Sequence, residues 1–236
     1  MTWSIIARDS VTGQFGIAVA TRFFAVGARV PYIAAGVGAI ATQAMVNPYY
    51  GIDGIVLLRG GKSAHDVIAT LLAADPGRDS RQVHAMDAEG RIAAHSGKDC
   101  IDWFGHISGD GFSIAGNMLA GSAVLDETAR TYAEGEALPF AQRLIRAMFA
   151  GEAAGGDKRG KQSAALLIHG TEEWSALDLR VDDHADPLRE LERLEAVSRE
   201  RWVHFRDFLP TRGNPAGITD RATIDAAIDA ANAGER

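Results

Sequence analysis

The sequence predicts an α+β chain built from two mainly antiparallel sheets packed together, with helices outside them. Three observations predict it. Strand-like apolar segments come in pairs joined by short turns, most of them holding glycine. Amphipathic helical segments also come in pairs, set between the strand pairs. Nowhere do single strands alternate with single helices, which argues against a doubly wound parallel sheet.

Residues 2–9 (TWSIIARD) are β-rich and residues 15–21 (FGIAVAT) read as a second strand, with Ser10 to Gly13 supplying the turn. Residues 30–35 and 37–43 form another pair around Gly36, and their continuous apolar character predicts burial on both faces. A short helix is expected within Asn47 to Gly60. Ser63 then caps a second helix through Ala74, with Ala64, Val67, Ile68, Leu71 and Leu72 on one stripe. Strand pairs follow at 81–87 with 91–96 and at 103–108 with 112–117. Helices are expected at 122–134 and 139–151, where Pro139 suits the first turn. A Gly-rich loop, Ala153 to Gly160, leads into strands at 162–169 and 174–181. Pro187 opens a charged helix running to Phe208, and Thr219 caps a last amphipathic helix. The whole reads as one domain over residues 1–236, with a helical extension over about 187–236.

A chain of 236 residues can bury a sizeable core without staples. Its 47% hydrophobic and 23% charged residues are those of an ordinary globular protein. A net charge of −7, with dispersed basic residues, leaves no electrostatic footprint for nucleic acid. The single cysteine, Cys100, rules out an intrachain disulfide and zinc-type spacing, and reads as a packing residue. The N-terminal residues have no signal-peptide pattern, and no apolar run reaches the length of a membrane span. The expectation is a cytoplasmic protein that binds neither membrane nor nucleic acid.

The N-terminus carries the sharpest chemistry. Thr2 follows Met1 directly. Removal of the methionine would leave a hydroxyl and a free α-amine on one residue. An α-amine titrates near 7.7–8.0, close enough to neutrality to take the hydroxyl proton. Met-Thr also begins proteins of every kind, and a retained Met1 would block the amine and disable the mechanism.

The hairpin TWSIIARDSVTGQFGIAVATR resembles the opening of N-terminal-nucleophile (Ntn) hydrolases such as proteasome β subunits. There a Thr-initiated strand turns into a second apolar strand ending in a Thr-Arg-like pair, here Thr21-Arg22. The segments SIIARD, FGIAVATRFFAVG, GVGAIATQAMVNPYYG, GNMLAG, AGGDKRGKQSAALL and RVDDHADPLREL span residues 2–191. Together they are similar to a bacterial family of unknown function grouped with the Ntn hydrolases. The resemblance implies a four-layer α/β/β/α sandwich, amide-bond hydrolysis and a homo-oligomer. The sequence does not place the lysine that assists the proteasome threonine.

Other candidates follow from their surroundings. Asn117 ends a predicted strand, where it reads either as an oxyanion donor or as a strand-end turn residue. The loop Gly155 to Gln162 nearly matches GxxxxGK[ST], but Gln162 stands where Ser or Thr is needed and a strand follows rather than a helix. Nucleotide hydrolysis is therefore discounted, and phosphate or nucleotide binding through this loop stays as a third reading that predicts an anion at Gly155 to Lys161. Asp157, Arg159 and Gln162 read as ligands of a polar substrate, or as a solvated loop whose charges pair with each other. Gly36-x-Gly38 leads into a strand and is rejected as a dinucleotide fingerprint. Asp182, Asp183, His184 and Asp186 read either as a cation site or, more simply, as the acidic start of a helix capped by Asp186. No HExxH or GxSxG occurs.

The functional expectation is an Ntn amidohydrolase without cofactor or metal, acting on a small polar amide. Thr2 attacks, Asn117 helps hold the oxyanion, and Arg22, Asp157, Arg159 and Gln162 orient substrate or the α-amine. The competing expectation is a non-catalytic protein of the same fold that binds a small ligand or serves in assembly.

Overall fold

The computed structural model describes residues 2–234. The strands are β1 (Thr2–Arg8), β2 (Phe15–Thr21), β3 (Pro31–Ala34), β4 (Gly38–Ala44), β5 (Arg81–Asp87), β6 (Ile92–Ser96), β7 (Gly105–Gly109), β8 (Phe112–Asn117), β9 (Ser163–His169) and β10 (Ser175–Val181). The helices are α1 (Pro48–Arg59), α2 (Ala64–Ala74), α3 (Ala123–Glu134), α4 (Phe140–Ala153), α5 (Pro187–Glu200), the short α6 (Trp202–Phe205) and α7 (Arg221–Gly234). Six strands form one sheet in the order β10-β9-β2-β1-β8-β7, and four form a second in the order β3-β4-β5-β6. Every pairing is antiparallel. The sheets face each other, with β1 against β4 and β5, β2 against β3 and β4, and β8 against β5. Helices α3, α4 and α5 cover the outside of the larger sheet, and α1 and α2 cover the smaller one. The expected α/β/β/α order of layers is what the chain forms.

Period-two alternation on the strands assigns each residue to a layer. On β1, Trp3, Ile5 and Ala7 pack into the core under α3, α4 and α5, with Ala18 and Ala20 of β2, Ile114 of β8 and Leu166 of β9. Leu144 and Met148 of α4 and Leu188 and Leu191 of α5 close that core from outside. On the smaller sheet, Ile40, Val83 and Ala85 pack against Leu58, Val67 and Leu71 of α1 and α2. Helix α1 lies close to its sheet because of two glycines. A Cβ at Gly51 would overlap the Tyr32 ring, and one at Gly54 would overlap Ile40 Cδ1. The opposite strand faces fill the space between the sheets. Ile6, Phe15, Ile17, Val19, Ala39, Ala41 and Met86 make its apolar part.

Four expectations are corrected. Strand β3 lies at a sheet edge and is only half-buried, so burial on both faces holds for β4 but not for its partner. The helix expected to run from Pro187 to Phe208 breaks at Arg201, whose φ of −147° is not helical. Beyond the break, Trp202 Nε1 and Arg206 Nη1 both donate to the Ala176 carbonyl, so a tertiary contact on β10 overrides local helix propensity. The last helix is capped by Asp220, whose carboxylate accepts from Thr223 N at 2.9 Å, rather than by Thr219. Pro139 precedes the first turn of α4 as its cap residue. Among the described residues no helix is long and apolar enough to cross a membrane.

Candidate functional site

At one end of the sandwich a cleft of about 510 Å³ opens between the sheets. Its floor is made by the ends of four strands. Thr2 begins β1, directly opposite Thr21 on one side and Asn117 on the other. Gln43 comes from the facing sheet and also lines the cleft. Thr2 is only 9% exposed, so it is a floor residue rather than a free end. Its Oγ1 lies 3.1 Å from Thr21 Oγ1. Its carbonyl oxygen accepts from Gln43 Nε2 at 3.4 Å and from Asn117 Nδ2 at 3.5 Å. Met1 lies outside the described residues, as does the question of its removal.

Behind Thr2, the apolar filling between the sheets gives way to a buried hydrogen-bonded network. Ser4 Oγ donates to Gln43 Oε1 at 2.7 Å and lies 2.9 Å from His84 Nε2. His84 Nδ1 lies 2.9 Å from Ser113 Oγ. Burial, and secondarily the nearby His106, hold the His84 pKa down to about 3, so the ring is neutral. A neutral imidazole donates from one nitrogen and accepts at the other. The single Ser4 proton is committed to Gln43, so Ser4 must accept from His84 Nε2–H. His84 Nδ1 then accepts from Ser113. The chain therefore runs in one direction, from Ser113 through His84 and Ser4 to Gln43, which donates to Thr2.

Gln82 braces the same amides. Its Oε1 accepts from Gln43 Nε2 at 2.8 Å and from Asn117 Nδ2 at 2.9 Å. Its Nε2 reaches Ser96 Oγ and the Gly105 and Gly116 carbonyls at 2.8–3.0 Å. An unpartnered buried amide costs about 1–3 kcal/mol, so these links are a condition of burying the glutamines at all.

The expected site residues separate into two groups. Thr2, Asn117 and Arg159 line the cleft. Asp157 is buried behind Arg159, accepting from Arg22 N at 2.9 Å and Arg159 N at 2.7 Å, with its Oδ2 at 3.3 Å from Arg159 Nη2. Arg22 and Gln162 do not line the cleft. Arg22 is exposed and donates to the Lys161 carbonyl at 3.0 Å, while Gln162 donates to Asp183 Oδ1 at 3.0 Å. Thr21 takes the inward position at the end of β2, so its successor Arg22 turns outward. The Asn117 amide is directed at Gln82 and at the Thr2 carbonyl rather than into open space.

In the Gly-rich loop, Lys161 Nζ pairs with Glu152 and Asp186, and Lys158 Nζ donates to the Asp102 carbonyl. Asp182, Asp183 and His184 are directed at three different partners, Arg180, Gln162 and the Asp186 amide. Asp186 accepts from Arg189 N at the start of α5. Cys100 lines the cleft wall, and burial raises its thiol pKa.

Sequence reading missed Ser4, Gln43, Gln82, His84 and Ser113. Their signal was partial: Ser4, Gln43 and Ser113 interrupt largely apolar strands, while Gln82 and His84 lie on a strand, RQVHAMD, that is polar at four of its seven positions. The lining also departs from the expectation of a small polar ligand. Phe23, Val26, Val30, Met45, Val46, Ile101 and Met118 make most of the wall, against Arg29, Asp99 and Arg159 as its charged members.

A family model described as "Family of unknown function (DUF1028)" matches residues 2–191. A crystal structure of protein SPO2555 from Silicibacter pomeroyi, assigned to DUF1028, superposes with a TM-score of 0.85 at 30% identity, covering 93% of this chain and 96% of that one. Anbu, an ancestral β-subunit from Yersinia bercovieri, gives a TM-score of 0.39 at 10% identity over 83% of this chain and 95% of that one, too weak a likeness to argue from. No curated protein matches.

Proposed function

The chain belongs to the DUF1028 family, whose function is unknown, and we propose that it is an N-terminal-nucleophile amidohydrolase with Thr2 as nucleophile. The observation that carries the reading is the setting of Thr2. Its hydroxyl lies on the floor of the cleft beside Thr21, and its peptide carbonyl is held by two side-chain amides from two different strands. A hydroxyl fixed in this way needs only a base, and removal of Met1 supplies one in the α-amine of the same residue.

In this reading the α-amine takes the Thr2 Oγ1 proton as the oxygen attacks the amide carbonyl carbon. The tetrahedral intermediate collapses with cleavage of the C–N bond. The leaving nitrogen receives the proton from the ammonium and departs as an amine. Water then attacks the Thr2 ester, giving its proton to the α-amine, and as the ester C–O bond breaks the ammonium returns that proton to Thr2 Oγ1, so the carboxylic acid leaves and the hydroxyl and free amine are restored. Asn117 and Gln43 are positioning residues, because their amides hold the nucleophile's own backbone. Arg159, braced by Asp157, orients the substrate.

The test is p-nitroaniline release from acyl p-nitroanilides by protein beginning at Thr2. Thr2→Ala should lose on the order of 10³-fold or more in kcat, and a quenched wild-type reaction should carry the acyl mass on residue 2. A second reading, a binding protein without catalysis, draws on the engagement of the Asn117 amide within the protein. Equal rates for wild type and Thr2→Ala, with ligand binding intact, would favour it.

A further inference from the structure

The walls of the cleft carry information about what enters it. Three of its apolar residues stand at the mouth with their side chains in water, Phe23 at 65%, Met45 at 67% and Ile101 at 62% exposure. Large apolar residues exposed together beside a concave site mark a surface that meets an apolar partner. Each belongs to a segment tied to the floor. Phe23 lies two residues beyond Thr21, and Met45 two beyond Gln43. Ile101 is held to Met118 by the Met118 N to Ile101 O bond of 2.9 Å, one residue beyond Asn117.

Further hydrogen bonds tether the Phe23 and Met45 segments. Ser163 Oγ donates to the Phe23 carbonyl at 2.6 Å and accepts from Val26 N at 3.1 Å. Ala25 N donates to the Asp182 carbonyl at 2.9 Å, and Met45 N to the Ser80 carbonyl at 3.1 Å. The non-glycine residues with left-handed backbone among those described are Ala25, Ala44 and Met118, at φ of 53°, 68° and 56°. Ala25 and Ala44 each precede an apolar lining residue, Val26 and Met45, and Met118 is itself one. Backbone in this region is unfavourable for residues with a Cβ and is retained where surrounding structure holds it for a purpose. Val26, Met45 and Met118, at or just after these positions, line the cleft that has Thr2 on its floor.

We infer that the cleft takes amides whose acyl part is an unbranched or aromatic apolar chain of several carbons, seated against Phe23, Met45, Ile101 and Met118. The inference rests on Thr2 as the nucleophile for its catalytic sense, but its binding sense stands without it. A small polar amide would leave these walls against water. An apolar acyl chain would remove them from it.

The test uses p-nitroanilides with a constant leaving group and acetyl, butyryl, hexanoyl and octanoyl chains. The expected result is a rise in kcat/KM of roughly four-fold per methylene until the cleft is full, so that hexanoyl, four methylenes longer, exceeds acetyl by roughly 250-fold. Phe23→Ser and Ile101→Ser replace exposed residues and should fold, and each should cut the hexanoyl-to-acetyl ratio about ten-fold. A flat series, or a preference for acetyl, overturns the inference while leaving the nucleophile in place. If no anilide is turned over, calorimetry of the Thr2→Ala protein with acetamide, hexanamide and octanamide decides the binding sense separately. Affinity rising with chain length supports the apolar site, and equal affinities overturn it.

Discussion

Trp3 and Ser4 are neighbours on β1, yet they serve two different interiors. Trp3 faces the helices, in a core shared with Ile114, Leu144 and Leu166. Ser4 faces the second sheet, where its partners are Gln43 and His84. The same alternation recurs on β5, with Val83 and Ala85 toward the helices and Gln82 and His84 toward the other sheet. A helix–sheet layer of this kind contributes stability through burial and packing. The polar end of the inter-sheet space contributes little net stability per bond, because each hydrogen bond replaces one to water. What it contributes is direction: its amides hold the Thr2 carbonyl from two sides. One interior maintains the fold and the other positions the site.

The comparison breaks most visibly in the helix layer. Leu144→Ala should destabilise the protein by about 2–5 kcal/mol in urea unfolding. The kcat of the molecules that remain folded should be unchanged. A fall in kcat at constant fold would mean that the two interiors are not separable.

On the polar side, Gln43→Leu removes a donor to the Thr2 carbonyl, the acceptor of the Ser4 proton and one of the two donors to Gln82 Oε1. It should cost less stability, about 1–3 kcal/mol, but lower kcat on the order of ten-fold with KM little altered. Denaturant titration beside steady-state kinetics distinguishes this from the Leu144 pattern. Equal kcat for wild type and Gln43→Leu would reduce the network to packing.

The smallest effect is on the pH dependence of stability. The His84 pKa is about 3 in the fold, against about 6.5 in the unfolded chain. Between those values the unfolded state binds a proton that the folded ring refuses. Stability therefore falls as pH drops from about 6.5 toward 3, and His84 adds no slope above that window. In His84→Gln the loss of urea midpoint between pH 6.5 and 5 should shrink, while lowered His106 and His169 continue to contribute.

Much of the sandwich was legible because hairpins are local. The β-rich run at 2–9, the second run at 15–21 and the turn residues at Ser10 to Gly13 are read within a single window, and β1 and β2 form there. The break at Arg201 was not legible, because its cause, the docking of Trp202 and Arg206 on Ala176, lies 26 and 30 positions away. The site follows the same division. Thr2, Asn117 and Arg159 stand at strand ends or in a loop, where sequence draws attention to polar residues. Gln43 lies within the mainly apolar β4, Gln82 and His84 alternate on β5, and Ser4 meets His84 across 80 positions of sequence. Only the packing of one sheet on the other makes them a network. Arg22 drew notice through the Thr21-Arg22 pair and Gln162 through its place in the Gly-rich loop, but side-chain direction, which the sequence expresses weakly at a strand end, takes them out of the cleft.

The central claim is that Thr2 acts through its own free amine. The most direct measurement is the intact mass, with N-terminal sequencing, of untagged protein purified from its native host. The account predicts a chain beginning at Thr2, with Met1 removed. A chain that retains Met1 ahead of Thr2 would leave the hydroxyl without its base and contradict the account.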